Sequence, residues 1–254
     1  MIEGVVSPRQ LAALAAHPAV LWIEGAARVK MHDEVSAKIV GGGETGHGVA
    51  PDDGSTDPSN TPTVRTNHAS IVQSLGFDGR GVVVSVADSG LDNGNAAAMH
   101  PDLRGRVDAF FYYGNLADAS DEHSHGTHVA GIIAGNGATG EMDDTGALYG
   151  LGVAPGAHII GQRIFDGVGD YEAPPTYEVL THDALRAGAV IGSNSWGDDT
   201  QGRYDISAAQ FDALVRDGDA GRAGDQPYIL EFSAGNSGPG VQTIGSPAVA
   251  KNVI

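Results

Sequence analysis

Hydrophobic positions along the chain fall into short β-branched runs separated by stretches of helical spacing. The runs Val82 to Ala87, His158 to Ile164, Val190 to Ser193 and Tyr228 to Ser233 have the near-continuous apolar character of strands buried on both faces. Between them, Val129 to Ala134, Tyr177 to Ala187 and Ser207 to Val215 show helical spacing. Strand and helix alternate, so the pattern predicts an α/β fold: a doubly wound, mostly parallel sheet with helices on both faces and ligands at the carboxyl ends of the strands. Upstream, Pro8 to Ala16 reads as a short helix and Val20 to Ile23 as a strand, making residues 1–40 an N-terminal extension. Gly41 to Pro62 is glycine, proline, serine, threonine and aspartate at most positions, too polar to bury a core, and reads as an exposed linker ahead of a domain over 63–254.

Composition changes this picture little. At 254 residues and 41% apolar the chain can bury one main core. Its 32 acidic residues against 14 basic ones, a net charge of −18, argue against nucleic acid or an anionic membrane as partner. There is no cysteine, which removes disulfides, thiol nucleophiles and thiolate metal sites. The apolar run Leu11 to Ile23 is broken by His17 and Pro18 and lacks a cationic leader, so it is a poor signal peptide, and no run is long enough for membrane insertion. The oligomeric state stays unknown.

Candidate chemistry sits at the ends of these elements. Val86-Ala87-Asp88-Ser89-Gly90 places an acid where an apolar strand gives way to a turn. His123-Ser124-His125-Gly126-Thr127-His128 opens a helix rich in small residues, with His125 at or near its start. A carboxylate beside an imidazole fixes its tautomer and stabilises the imidazolium formed when it takes a proton. The His-x-His-x-x-His spacing of His123, His125 and His128 also suits a zinc hydrolase, although the acid that such a loop carries before its last histidine is replaced by Thr127. His128 is otherwise expected in the packing of the helix and His123 on a loop surface.

The aspartate and histidine blocks together resemble those of the subtilisin-like serine proteases, the subtilases, in which Asp, His and Ser follow one another along the chain. Met99-His100-Pro101-Asp102-Leu103, Gly152-Val153-Ala154-Pro155, Ser193-Asn194-Ser195-Trp196-Gly197 and Ser233-Ala234-Gly235-Asn236-Ser237-Gly238-Pro239 resemble further family segments in family order. Ser-Val-Ala-Asp-Ser-Gly-Leu-Asp, Asn-Ser-Trp-Gly and the closing Ala-Lys-Asn-Val-Ile are most similar to the oxidatively stable alkaline proteases of that family. The resemblance implies a serine endopeptidase acting on polypeptides, with Asp88, His125 and the oxyanion donor Asn236 as catalytic residues. It further implies that Ser195, Trp196 and Gly197 bind substrate, with Gly167 to Gly169 as the opposing strand, although Trp196 could equally be core. Residues Leu11 to Met31 look like the end of an inhibitory propeptide, and location outside the cell or in the cell envelope follows from the same likeness.

The family's Gly-Thr-Ser-Met-Ala block, which carries the nucleophile, has no match here. Ser246 is followed by proline and lacks a supporting helix, so no catalytic serine is named and the chain is expected to stop before it and to be inactive alone. No cofactor is needed for the chemistry. Structural calcium is compatible with the family and with acidic pairs such as Asp143-Asp144 and Asp198-Asp199, but the pattern specifies no ligand set. A non-catalytic peptide-binding relative remains the main alternative.

Overall fold

A computed structural model describes residues 6–20, 23, 30–31, 76–142 and 148–254. The 41–62 linker, Leu21 and Trp22 of the Val20 to Ile23 strand, and the Asp143-Asp144 pair lie outside the described residues. In chain order the elements are helix α1 (Pro8–Ala15), strands β1 (Lys30–Met31), β2 (Val83–Asp88) and β3 (Val107–Tyr112), helix α2 (His125–Ala134), strand β4 (His158–Arg163), helix α3 (Tyr177–Arg186), strands β5 (Ile191–Asn194) and β6 (Trp196–Gly197), helix α4 (Ile206–Leu214) and strand β7 (Ile229–Phe232).

Five strands form one parallel sheet in the order β3-β4-β2-β5-β7. The chain adds β3 and β4 on one side of β2 and then crosses to add β5 and β7 on the other. That reversal makes the carboxyl ends of β2 and β5 the switch point, where neighbouring connections leave in opposite directions and open a crevice. Asp88 ends β2 and Asn194 ends β5, so the sequence motifs terminate at this edge.

The sheet is covered on both faces because successive side chains in a strand point to opposite sides. Val84 and Val86 of β2 join Ile159 of β4 in a core with Val129, Ala130 and Ala134 of α2. Ala87 and Ile160 face the other way, into a core with Leu180 and Ala184 of α3 and Phe211 and Leu214 of α4. Trp196 is the largest fully buried side chain of that second core. Its ring stacks against Tyr171 and Tyr177, with centroids 6.2 and 6.1 Å away, and meets Phe232 edge-on at 5.2 Å.

Helices α1, α3 and α4 fall within a residue of their predicted ends, and α2 begins four residues ahead of the Val129 to Ala134 stretch, at His125. Strand β3 was not predicted: Val107–Tyr112 lies at a sheet edge and none of its residues is fully buried, so it lacks a continuous apolar signature.

Candidate active site

Asp88 is fully buried at the end of β2, and its Oδ1 stands 2.7 Å from Nδ1 of His125 at the first position of α2. The same Oδ1 accepts the Ser89 amide at 2.7 Å, while Oδ2 has no hydrogen-bond partner among the described residues. Glycine is what lets the two segments meet. A Cβ on Gly126 would lie 2.3 Å from the Gly90 carbonyl oxygen and 3.0 Å from Asp88 Cβ, so any larger residue would push the start of α2 off the end of β2.

Burial pushes the Asp88 carboxyl above its ordinary 3.8, against the opposing pull of the His125 hydrogen bond and charge. The folded chain therefore holds this proton more tightly than the unfolded chain does. Its contribution to stability is fully present below the unfolded value and is lost as pH rises through the folded one. In urea unfolding from about pH 4 to about pH 7, stability is expected to shift in favour of Asp88→Asn relative to the parent chain as pH rises. A constant difference across that range would show that burial does not raise the Asp88 carboxyl.

Around the pair, Asp121 gathers the loop before α2. Its Oδ1 accepts from Ser89 Oγ (2.8 Å) and from the amides of His123 (3.1 Å) and Ser124 (2.7 Å), and its Oδ2 accepts from the Thr127 amide (2.8 Å) and Thr127 Oγ1 (2.6 Å). Ser89, Gly126 and Thr127 stand inside the sequence motifs, whose pattern assigns them no role, and Asp121 stands outside those motifs. No local signal marks it, because an acid four residues ahead of the helix start lies outside the N-cap position, which Ser124 holds.

The other predicted residues are placed as follows. Trp196 and Gly197 form β6, which pairs antiparallel with β1 of the same chain, Lys30 opposite Gly197 and Met31 opposite Trp196. This edge thus accepts an extended backbone. The Trp196 side chain belongs to the core, so only its backbone can serve a ligand. Gly167 and Gly169 lie in a tight loop closed by Asp166, whose Oδ1 accepts the amides of Val168 and Asp170, both at 2.9 Å. That loop abuts the approach to α2, because a Cβ on Gly167 would stand 3.0 Å from Glu122 Cβ. Buried Arg163, at the end of β4, holds the two together, bonding Glu122 Oε2 at 2.7 Å and the Phe165 carbonyl at 3.1 Å.

Asn236 is exposed four residues beyond β7, on the same sheet edge and two strands along from Asp88. Its loop is tied to the one after β6 through Ser237 Oγ and Asp199 Oδ1, 3.0 Å apart.

His128 corrects the expectation of a packed helix face: it is exposed and borders a cavity of about 700 Å³ with Asp102, Asp121 and Thr127. His123 is exposed, with its ring centroid 6.4 Å from that of His125. Among the described residues no three His, Cys, Asp or Glu side chains are grouped as a zinc site requires, and His123, His125 and His128 form no such group. Ser246 is buried and its hydroxyl donates to Asp205 Oδ1 at 2.5 Å, away from the pair.

A parallel sheet with a carboxylate–imidazole pair at its switch point defines an α/β protein equipped for acid–base chemistry at that edge. The model of the subtilase family, Peptidase S8, matches residues 79–254, and the chain belongs to that family. Serine protease AprX of Bacillus subtilis is 35% identical over 184 residues, covering 69% of this chain and 38% of AprX. Minor extracellular protease Vpr of the same organism is 26% identical over 192 residues, covering 71% of this chain and 21% of Vpr. Among solved structures, fervidolysin from Fervidobacterium pennivorans, a keratinolytic enzyme related to subtilisin, is similar at 26% identity and a TM-score of 0.45, covering 65% of this chain and 23% of that one. The chain spans well under half the length of the curated relatives it matches. No helix among the described residues is long and apolar enough to cross a membrane.

Proposed function

We propose that these residues form the Asp-His part of a serine endopeptidase site. The observation that carries the reading is the 2.7 Å contact between Asp88 Oδ1 and His125 Nδ1 at the switch point of a subtilase sheet. A serine hydroxyl attacks the peptide carbonyl while His125 Nε2 takes its proton. The carbonyl oxygen, now an anion, is stabilised by the Asn236 carboxamide. His125 then returns the proton to the departing amine, and water repeats the sequence on the acyl-enzyme. Asp88 holds the Nδ1–H tautomer and faces the imidazolium. The substrate backbone pairs with Ser195 to Gly197 on one side and Gly167 to Gly169 on the other, a role that the β1–β6 pairing supports because it seats an extended segment there. Like Vpr by its name, the protein acts outside the cell.

Ser89 and Ser246 are not assigned as the nucleophile, because their hydroxyls are committed to Asp121 and Asp205. The test compares the 254-residue chain with the same chain extended by a segment carrying a Gly-Thr-Ser-Met-Ala block. The extended protein is expected to hydrolyse a peptide substrate and to be blocked by a serine-directed fluorophosphonate, while the chain alone does neither. Serine-reagent-sensitive hydrolysis by the chain alone overturns the nucleophile assignment. Hydrolysis stopped only by a chelator overturns the serine reading.

A further inference from the structure

We infer that Asp121 is the residue that positions the Asp88–His125 pair, an inference resting on the reading of that pair as catalytic. The two side chains come from separate segments, and one hydrogen bond between them does not fix their relative pose. Helix α2 brings no side-chain cap of its own. Ser124 at its N-cap has a left-handed backbone, φ 77°, and makes no capping hydrogen bond, leaving the first-turn amides to be satisfied from elsewhere. The Gly126 amide goes to Ser89 Oγ at 2.9 Å and the Thr127 amide to Asp121 Oδ2. Ser89 Oγ in turn donates to Asp121 Oδ1.

Asp121 thus binds both sides of the pair at once. Through Ser89 it reaches the residue whose amide donates to Asp88 Oδ1, and through the Ser124 and Thr127 amides it holds the chain one residue before and two residues after His125. The carboxylate also lies at the positive end of α2, where negative charge is favoured. Five donors converge on its two oxygens, which have about four lone-pair sites, so neither protonation of the carboxylate nor its conversion to an amide leaves enough acceptor sites to keep every link. Other charged and titratable neighbours include Asp88 itself, the His123 ring beside His125, Asp92, whose amide donates to Thr127 Oγ1 at 2.7 Å, and His100, Asp102 and His128, which line the same cavity as Asp121.

The test uses the 254-residue chain with histidine imidazoles labelled at nitrogen. The Nδ1–H proton shared with Asp88 should give a strongly deshielded resonance that Asp88→Asn removes. In Asp121→Asn, with circular dichroism unchanged, exchange of that proton with water is expected to quicken about tenfold or more, the scale of losing about one charge-assisted hydrogen bond. Ser89→Ala should act in the same direction by a smaller factor, and the double variant should exchange no faster than Asp121→Asn alone. Unchanged exchange in folded Asp121→Asn, or additive effects, overturns the inference. Should Asp121→Asn fail to fold, Ser89→Ala decides, and unchanged exchange there overturns it. Absence of any resonance that depends on Asp88 in the parent chain instead overturns the pair.

Discussion

Asp88→Asn in the assembled peptidase, with a serine nucleophile in place, is expected to lower kcat about ten-thousand-fold with little change in KM, the scale of this exchange in another Ser-His-Asp triad. The cause is the direction of one proton. Asp88 Oδ1 accepts from Nδ1–H of His125 at 2.7 Å, which leaves Nε2 as the basic nitrogen. The site that holds Oδ1 also receives the Ser89 amide, so an asparagine would keep its carbonyl oxygen or turn its NH2 toward His125. With the NH2 turned, Nδ1 becomes the acceptor, the proton moves to Nε2, and the base is blocked. The fold should survive, because the change removes a buried charge whose Oδ2 has no hydrogen-bond partner among the described residues. Steady-state kinetics beside urea unfolding test this: a loss of ten-fold or less in kcat with the fold intact would remove Asp88 from the mechanism.

How much of this was legible beforehand follows from how local each feature is. Asp88 ends a continuous apolar strand and His125 begins a helix, so neighbouring residues alone place both at element ends. The strands that sit between two helical layers carry the same legibility, because burial on both faces writes a run rather than an alternation. Strand β3 is a sheet edge, and its Val-Asp-Ala-Phe-Phe-Tyr mixes polar and apolar positions. The β1–β6 pair joins residues far apart in the chain over two positions each, a register that no local pattern encodes. Trp196 shows a different limit, since a tryptophan in a specificity segment can turn to either side of its strand, and here the aromatic cluster of Tyr171, Tyr177, Phe211 and Phe232 claims the ring. Asp121 was illegible for the most physical reason: its importance lies in donors arriving from Ser89, the 123–124 amides and Thr127, and only folding brings the first of these to it.

Asn236→Ala in the same assembled peptidase is expected to lower kcat by about a hundred- to a thousand-fold, roughly 3 to 4 kcal/mol, which is the magnitude known for subtilisin itself, a member of this family, when one such donor is removed. KM should move little, because a donor aimed at the tetrahedral oxyanion gains its full bond only as charge develops. Two features of the structure make the position suitable. Asn236 leaves the sheet at the carboxyl edge that also carries Asp88, and its loop is held against the loop after β6 by the Ser237–Asp199 hydrogen bond. It is also exposed, so the carboxamide serves no core and its removal should leave the unfolding midpoint unchanged. The split between the two measurements is what gives the result meaning. A fall in kcat with stability and KM preserved assigns the oxyanion to Asn236, whereas a rise in KM alone makes Asn236 a ground-state contact and leaves the oxyanion to backbone amides.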